Sequence, residues 1–289
     1  MIYVILGPTA SGKSFDAHEL AKAINGEIIN GDAFQIYKQL NIGVAKPEKE
    51  LLDIPHHLFS FVDVDKPYSI MEYQIDCRKK IEEISNRGKN IVIVGGSGLY
   101  IRSALYDYQF NKQENKIDMS KYEKMDNDEL FKILQEIDPK EATIIHKNNR
   151  KRVLRAIEIY LINGEAKSSI NAKQEHKAIY DVRFLFKDIS RDVLYERINQ
   201  RVDKMINDGL IDEVKSLLTI YDSNLQSLQA IGYKEIIGYL SNLYSLEESI
   251  ELLKKNTRNY AKRQLTFIKH QFNAIPYQNI EQIINKINK

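Results

Sequence analysis

Three short apolar runs stand out in the first hundred residues, at 2–6 (IYVIL), 27–30 (EIIN) and 91–94 (IVIV), each closed by a glycine or a turn. Nearly continuous apolar runs of this length suit strands buried on both faces, as in a parallel sheet. Helical spacing of apolar residues fills the intervals, over 14–24 after the first run and over 70–86 before the third. Alternating strands and helices predict an α/β fold, a parallel sheet flanked by helices, with its ligand at the carboxyl ends of the strands. A further strand is expected at 182–186, where the alternation is less clean.

Between residues 111 and 177 the texture changes. No strand-like run occurs, and apolar residues recur at helical spacing: Leu130, Ile133, Leu134 and Ile137, then Val153, Leu154, Ile157 and Leu161. This predicts a helical insertion, 111–177, within a core made of 1–110 and 178–289. From Arg191 onward the pattern is mainly helical, with breaks near Gly209, Ser223 and Gly232.

Composition narrows the class. The chain has 289 residues, 43% hydrophobic and 28% charged, enough to bury one large or two modest cores. No apolar run approaches the ~20 residues of a membrane helix, and a first strand starting at residue 2 leaves no room for a signal peptide. A cytoplasmic protein without a membrane partner is expected. The single cysteine, Cys77, excludes an internal disulfide and is expected to pack inside an amphipathic helix. Net charge is only +2, but its distribution is uneven. Residues 254–269 hold six Lys or Arg and no acid, and Arg150, Lys151, Arg152 and Arg155 form a second basic cluster.

The most specific motif is Gly-Pro-Thr-Ala-Ser-Gly-Lys-Ser at 7–14, a complete phosphate-binding loop between the first strand and the first helix. Its backbone amides and the following helix N-terminus wrap a polyphosphate; Lys13 reaches the outer phosphate, and Ser14 offers its hydroxyl to Mg²⁺. The second strand ends at Asp32, beside that loop in a fold of this kind. The aspartate suits a general base or a metal ligand, and equally a turn or helix cap. After the third strand comes Gly-Gly-Ser-Gly at 95–98, with the Ser97 hydroxyl, in a place where an ATPase often carries an acid. That favours a binding crevice over a hydrolytic water site, with a plain strand-to-helix turn as the alternative. Arg197 and Arg201 lie four apart on one helical face, suited to clamp a diphosphate or to form a solvated face paired with Glu196 and Asp203. His56 and His57 lack spaced partners for a metal and are expected to cap a helix or face solvent. Lys262 and Arg263, among aromatic residues in 257–267, suit RNA phosphates or a charged surface helix.

Taken in order, the blocks at 7–14, 32–37 (Asp-x-x-Gln-x-Tyr), 43–47 (Gly-x-Ala-Lys-Pro), 95–100, 152–158, 194–205, 232–235 and 257–267 resemble the bacterial tRNA dimethylallyltransferases, also called tRNA isopentenyltransferases. The resemblance covers nearly the whole chain. It implies transfer of a dimethylallyl group from dimethylallyl diphosphate to N6 of the adenine on the 3′ side of the anticodon, with Mg²⁺ as cofactor. Gly7, Pro8, Thr9, Ala10, Ser11, Gly12, Lys13 and Ser14 would then hold the donor's diphosphate with Arg197 and Arg201. Asp32, Lys13, Ser97 and Arg197 would be catalytic. Asp32, Ala33, Phe34, Gln35 and Ser97 would meet the target adenine and its neighbours. Lys151, Arg152, Val153, Leu154 and Arg155 would grip the anticodon stem-loop, joined by Lys262 and Arg263. A monomer is expected. The chain departs from the family's usual residues at Ala33 (Ser), Val44 (Thr), Lys151 (Gln) and Phe267 (Trp), whereas Ser97 for Thr keeps the hydroxyl. Three rival readings are a prenyltransferase acting on free adenine nucleotides, a small-molecule kinase and a non-catalytic RNA-binding module. The basic clusters argue against the first, the Gly-Gly-Ser-Gly block against the second, and Lys13, Ser14 and Asp32 together against the third.

Overall fold

The computed structural model describes residues 1–47, 53–110 and 117–287. The chain folds into two compact units, one formed by Met1–Leu105 with Ala178–Lys289 and the other by Tyr106–Lys177. Residue 111, the expected start of the insertion, lies outside the described residues.

In chain order the larger unit begins with β1 (Ile2–Leu6), α1 (Lys13–Ala23), β2 (Gly26–Asn30), β3 (His56–His57), α2 (Ile70–Asn86), β4 (Asn90–Gly95) and α3 (Gly98–Leu105). The smaller unit contributes α4 (Ser120–Glu123), α5 (Asn127–Ile137), α6 (Pro139–Ile144), α7 (Arg150–Asn163) and α8 (Lys167–Ala172). The larger unit resumes with β5 (Val182–Lys187), α9 (Arg191–Asn207), α10 (Leu210–Leu218), α11 (Tyr233–Leu240), α12 (Leu246–Gln271), β6 (Ile275–Tyr277) and α13 (Ile280–Ile287). No helix among the described residues is long and apolar enough to cross a membrane.

The six strands form one parallel sheet in the order β3-β2-β4-β1-β5-β6. β1 is buried at every position, because strands pair on both sides and helices cover both faces. On one face Ala17, Leu20 and Ala21 of α1 pack on Tyr3, Ile5, Ile28, Val92 and Leu185. Small residues at 17 and 21 let the helix lie close to the sheet, which aims its N-terminus at the end of β1. A capping box between Ser69 and Glu72 starts α2, whose Cys77 is buried as expected. Burial pushes the Cys77 thiol up to about 12, so it is unreactive packing.

Two edge strands depart from the sequence reading. His56 and His57 neither cap a helix nor face open solvent: they pair with Ile28 and Ile29 as β3 and are half-buried. His57 Nε2 lies 2.6 Å from Glu27 Oε2, which also takes a 2.6 Å bond from Arg87. Burial works to raise the Glu27 pKa, but these two partners prevail and hold it below the usual value. β6 interrupts the helical C-terminal part by pairing Ile275 with Leu185, and its Pro276 is tolerated on an edge strand. Strands of two or three residues carry no periodicity to read; their neighbour's free edge makes them.

The smaller unit is helical around Leu130, Leu134, Ile145, Val153, Ala156 and Ile157. Asp126 and Glu129 form the capping box of α5. The Asp138 carboxylate accepts from Glu141 N at the start of α6 and from Ser168 Oγ at 2.6 Å, joining α6 to α8. Here one expectation is corrected. Val153 is fully buried, so its side chain is core and offers RNA nothing; Leu154 also packs partly against that core. Lys151, Arg152 and Arg155 are exposed together, because i+3 and i+4 neighbours share the outer face of α7.

Candidate active site

β1 delivers the chain into the loop at residues 7–12, and α1 begins at Lys13. The loop closes because Gly12 adopts a left-handed φ of 87°, which glycine takes without steric cost. Ser11 N bonds Pro8 O at 3.3 Å, and the Lys13 ammonium folds over the same carbonyl at 3.2 Å. Burial of that ammonium pulls Lys13 down to about 8; the Asp32 charge opposes the shift and that of Arg201 adds to it. A cation desolvated in this way is poised to gain an anionic partner.

Two helices distant in sequence hold the loop. Ala10 packs with Leu194 and Ile198 of α9 and with Ala261 of α12. Gln264 of α12, 4% exposed, accepts the Thr9 amide on Oε1 at 2.9 Å. Arg201 Nη1 donates to Thr9 Oγ1 at 3.3 Å, and the Arg197 guanidinium lies 3.9 Å from where a Cβ on Gly12 would stand. The arginine pair therefore faces the loop. Arg197 is exposed and Arg201 half-buried; Asp203 pairs with Lys254 at 2.8 Å, and Glu196 accepts from Gln200.

Asp32 follows β2 and is set by Asn30, which is fully buried. The Asn30 side chain accepts Asp32 N at 2.9 Å and donates to Asp32 O at 3.0 Å and to Leu58 O at 2.9 Å. One carboxylate oxygen of Asp32 accepts Phe34 N at 2.9 Å, so the residue does form a turn while its side chain borders the cleft beside Lys13. The ends of β2 and β4 cross at glycines: Gly31 N bonds Val94 O at 2.7 Å, and Ser97 N bonds Gly31 O at 3.2 Å. Ser97 Oγ accepts the Ala33 amide at 3.1 Å, a bond to the backbone that needs no hydroxyl on the side chain at that position. Gln35 donates to Val44 O and Ala45 O, tying residues 32–35 to the loop at 41–47. Lys46 donates to Tyr37 O at 2.7 Å and Lys38 O at 3.0 Å, and its burial pulls it down to about 8.

One cleft of about 670 Å³ takes in Thr9, Gly12, Lys13 and Ser14, then Asp32 and Gln35, then Asn41, Ile42 and residues 44–47, and Arg201; Ala33, Phe34, Ser97 and Arg197 are not part of its lining. Lys262 and Arg263 are exposed on α12, with the Arg263 guanidinium 5.8 Å from the Tyr260 ring centre. Phe267 turns inward, against Gly98 and 6.2 Å from Phe272. Lys151, Arg152 and Arg155 belong to the smaller unit and Asp32 to the larger.

Four participants escaped the sequence reading: Asn30, Lys46, Tyr260 and Gln264. Tyr260 is pushed up to about 12, first by burial and then by the Asp32 charge, while the nearby Ser97 and Gln264 side chains oppose the shift. Gln264 and Tyr260 sat inside a segment read for its cations. Asn30 looked like a strand end, and Lys46 like the close of a loop.

Mg²⁺ can be tested against this donor set. Among the described residues no three His, Cys, Asp or Glu side chains converge on a metal site. The cleft instead offers the Ser14 hydroxyl with Asp32 lining the same space. That suits Mg²⁺ carried by a diphosphate, since this ion takes one or two protein ligands and completes its shell with phosphate oxygens and water.

A phosphate cradle at the carboxyl end of β1, with a carboxylate after β2 on the far side of β4, defines an α/β enzyme of the phosphate-loop class. The site can hold an anionic leaving group and take a proton a short distance away. Within that class the chain belongs to the IPP transferase family, whose model matches residues 35–271. It is 45% identical over 272 residues to the tRNA dimethylallyltransferase of Anoxybacillus flavithermus, covering 93% of this chain and 88% of that one. Its fold is similar to the crystal structure of tRNA delta(2)-isopentenylpyrophosphate transferase from Staphylococcus epidermidis, with TM-score 0.73 and 40% identity over 99% of this chain and 97% of that one. It is also similar to a eukaryotic dimethylallyltransferase crystallised acting on tRNA, with TM-score 0.84, 32% identity and coverage of 97% and 75%.

Proposed function

We propose that this protein, a monomer of the cytoplasm, transfers a dimethylallyl group from dimethylallyl diphosphate to N6 of the adenine on the 3′ side of the anticodon in tRNA. The observation that carries this reading is the cleft that joins the phosphate loop, Asp32 and Arg201 in a member of this family.

The bond formed is N6 to the allylic carbon; the bond broken is that carbon to the diphosphate oxygen. As it breaks, negative charge grows on the departing diphosphate. The loop amides, Lys13, Arg197 and Arg201 meet that charge in a partly desolvated site, where fixed donors act most strongly. The Ser14 hydroxyl would help hold Mg²⁺, which would supply further positive charge to the departing diphosphate. Asp32 accepts the N6 proton and releases it to solvent; a positioned base contributes about 10²–10⁴-fold. Ala33, Phe34, Gln35 and Ser97 border the adenine, which must leave its stack to reach Asp32. An exocyclic adenine amine is a weak nucleophile, so ionisation of the allylic donor leads, and a fluorinated donor reacts slowly. Exposed Lys151, Arg152 and Arg155 on α7 and Lys262 and Arg263 on α12 supply the cations that an RNA backbone requires.

The test incubates the protein with Mg²⁺, labelled dimethylallyl diphosphate, and either an anticodon stem-loop, AMP or ATP. Label in RNA is the expected result. Label in AMP only, or phosphate transferred from ATP, assigns the cleft to a nucleotide prenyltransferase or a kinase instead. Asp32→Ala abolishes transfer while RNA affinity stays within about threefold.

A further inference from the structure

Three consecutive backbone amides in the cleft loop point at one carboxylate. Glu213 Oε1 lies 3.4 Å from Asn41 N and 3.4 Å from Gly43 N, while Oε2 accepts Ile42 N at 3.0 Å. Tyr233, fully buried, donates its hydroxyl to Glu213 Oε1 at 2.5 Å. Convergent amides of this kind make an anion-binding nest, and here the anion is the protein's own. The bonds join α10 and α11 to a loop some 170 positions earlier in the chain.

Packing seals the same junction. A Cβ on Gly43 would overlap the Tyr233 ring and stand 3.1 Å from Leu210, so only glycine lets the loop lie this close. On either side of Gly43 the loop carries Ile42, Val44, Ala45 and Lys46 into the cleft that holds Lys13 and Ser14. Gln35 and the Lys46 ammonium tie the loop's other end to the chain after β2. The Glu213 charge also offsets the burial of Lys46.

We propose that Glu213, braced by Tyr233, is a positioning residue for the prenyl-diphosphate donor: its carboxylate fills the amide nest at 41–43 and so holds that wall of the cleft in its binding shape. The proposal rests on the transfer reading above and adds a residue to it. Glu213 makes no contact with the reacting atoms, so its loss falls on donor binding.

The experiment compares wild type, Glu213→Ala and Glu213→Gln in the stem-loop transfer assay, with amide hydrogen exchange read at Ile42 and Gly43. Glu213→Ala raises the donor KM about tenfold with kcat within about twofold, and exchange at both amides accelerates. Acetate at tens of millimolar restores the KM, because the vacated nest accepts a carboxylate in trans. Glu213→Gln keeps the shape and one acceptor but loses the charge, and falls between. Wild-type KM and wild-type exchange in Glu213→Gln and Glu213→Ala overturn the proposal, as does a raised KM that acetate leaves unchanged. If Glu213→Ala fails to fold, Glu213→Gln decides on the same two readouts. A wild-type protein that transfers nothing sinks the transfer reading instead, and hydrogen exchange still decides whether the nest holds the loop.

Discussion

Replacing Gly95 with alanine tests how closely the two strand ends that build the site must approach. A Cβ at position 95 would stand 2.6 Å from Gly31 Cα and closer still to the Gly31 carbonyl. Ordinary carbon–carbon contact lies at about 3.5–4.0 Å, so the strand ends must part by about 1 Å. No side chain can rotate away, because every atom met is backbone. Overpacking of this kind costs about 1–3 kcal/mol. The separation also strains the Gly31–Val94 bond at 2.7 Å and the Ser97–Gly31 bond at 3.2 Å, each worth about 1 kcal/mol. The sum, about 3–5 kcal/mol, corresponds to a fall in Tm of roughly 6–20 °C for a domain of this size. Asp32 follows Gly31 directly and moves with it; a displacement of about 1 Å at a reacting group costs about 10²-fold in rate. Circular-dichroism melting reads the first effect, and single-turnover transfer at saturating donor reads the second. Gly88→Ala is the control: its φ is +68° with nothing within 4 Å of the added Cβ, so it loses only about 1–2 kcal/mol of stability to backbone strain and keeps its transfer rate. Gly95→Ala with a Tm within about 1 °C of wild type and an unchanged single-turnover rate refutes the reasoning.

Two further outcomes follow from the loop. Lys13 has a pKa of about 8 before an anion binds, and a diphosphate raises it, so donor binding takes up a proton above pH 8 and affinity falls as the pH rises beyond it; calorimetry in buffers of different ionisation enthalpy measures the uptake, which Lys13→Met removes. The same lowered value means that the unfolded chain binds the extra proton between pH 8 and 10.5, so the cost to stability is full below pH 8 and falls away as the pH rises through that window. Gln264→Ala leaves the Thr9 amide without its 2.9 Å acceptor and costs about 1–3 kcal/mol, read as a lower Tm and a weaker donor affinity; if both stay at wild-type values, Gln264 does not support the loop.

Legibility from sequence followed the reach of each interaction. β1, β2 and β4 were readable because central parallel strands are apolar along their whole length, whatever lies beside them. Their observed limits differ by a residue or so from the apolar runs, at Gly26, Asn90 and Gly95. β3 and β6 were not readable, since two or three residues become strand only when a sheet edge stands ready. Val153 shows the same limit on a surface. It lies among cations in the sequence, yet helical geometry turns it inward while Lys151, Arg152 and Arg155 turn out. The Arg197 and Arg201 pair was readable as a pair, but its target was not, because nothing local says what faces α9.

By itself the sequence determined the phosphate cradle and the order of strands and helices around it. These depend on bonds and dihedral preferences within a few residues: glycine at a left-handed position, an apolar run, a lysine and a serine at a helix start. Only the tertiary structure decided which distant groups complete the cleft. Gln264 meets Thr9 across 255 positions, and Glu213 meets Ile42 across 171. Contacts at such separations follow from strand order and from the packing of α9 to α12 over the loop, and no local propensity encodes them. The loop alone marks a site for phosphate; the helices brought to it from the far end of the chain give the site its walls.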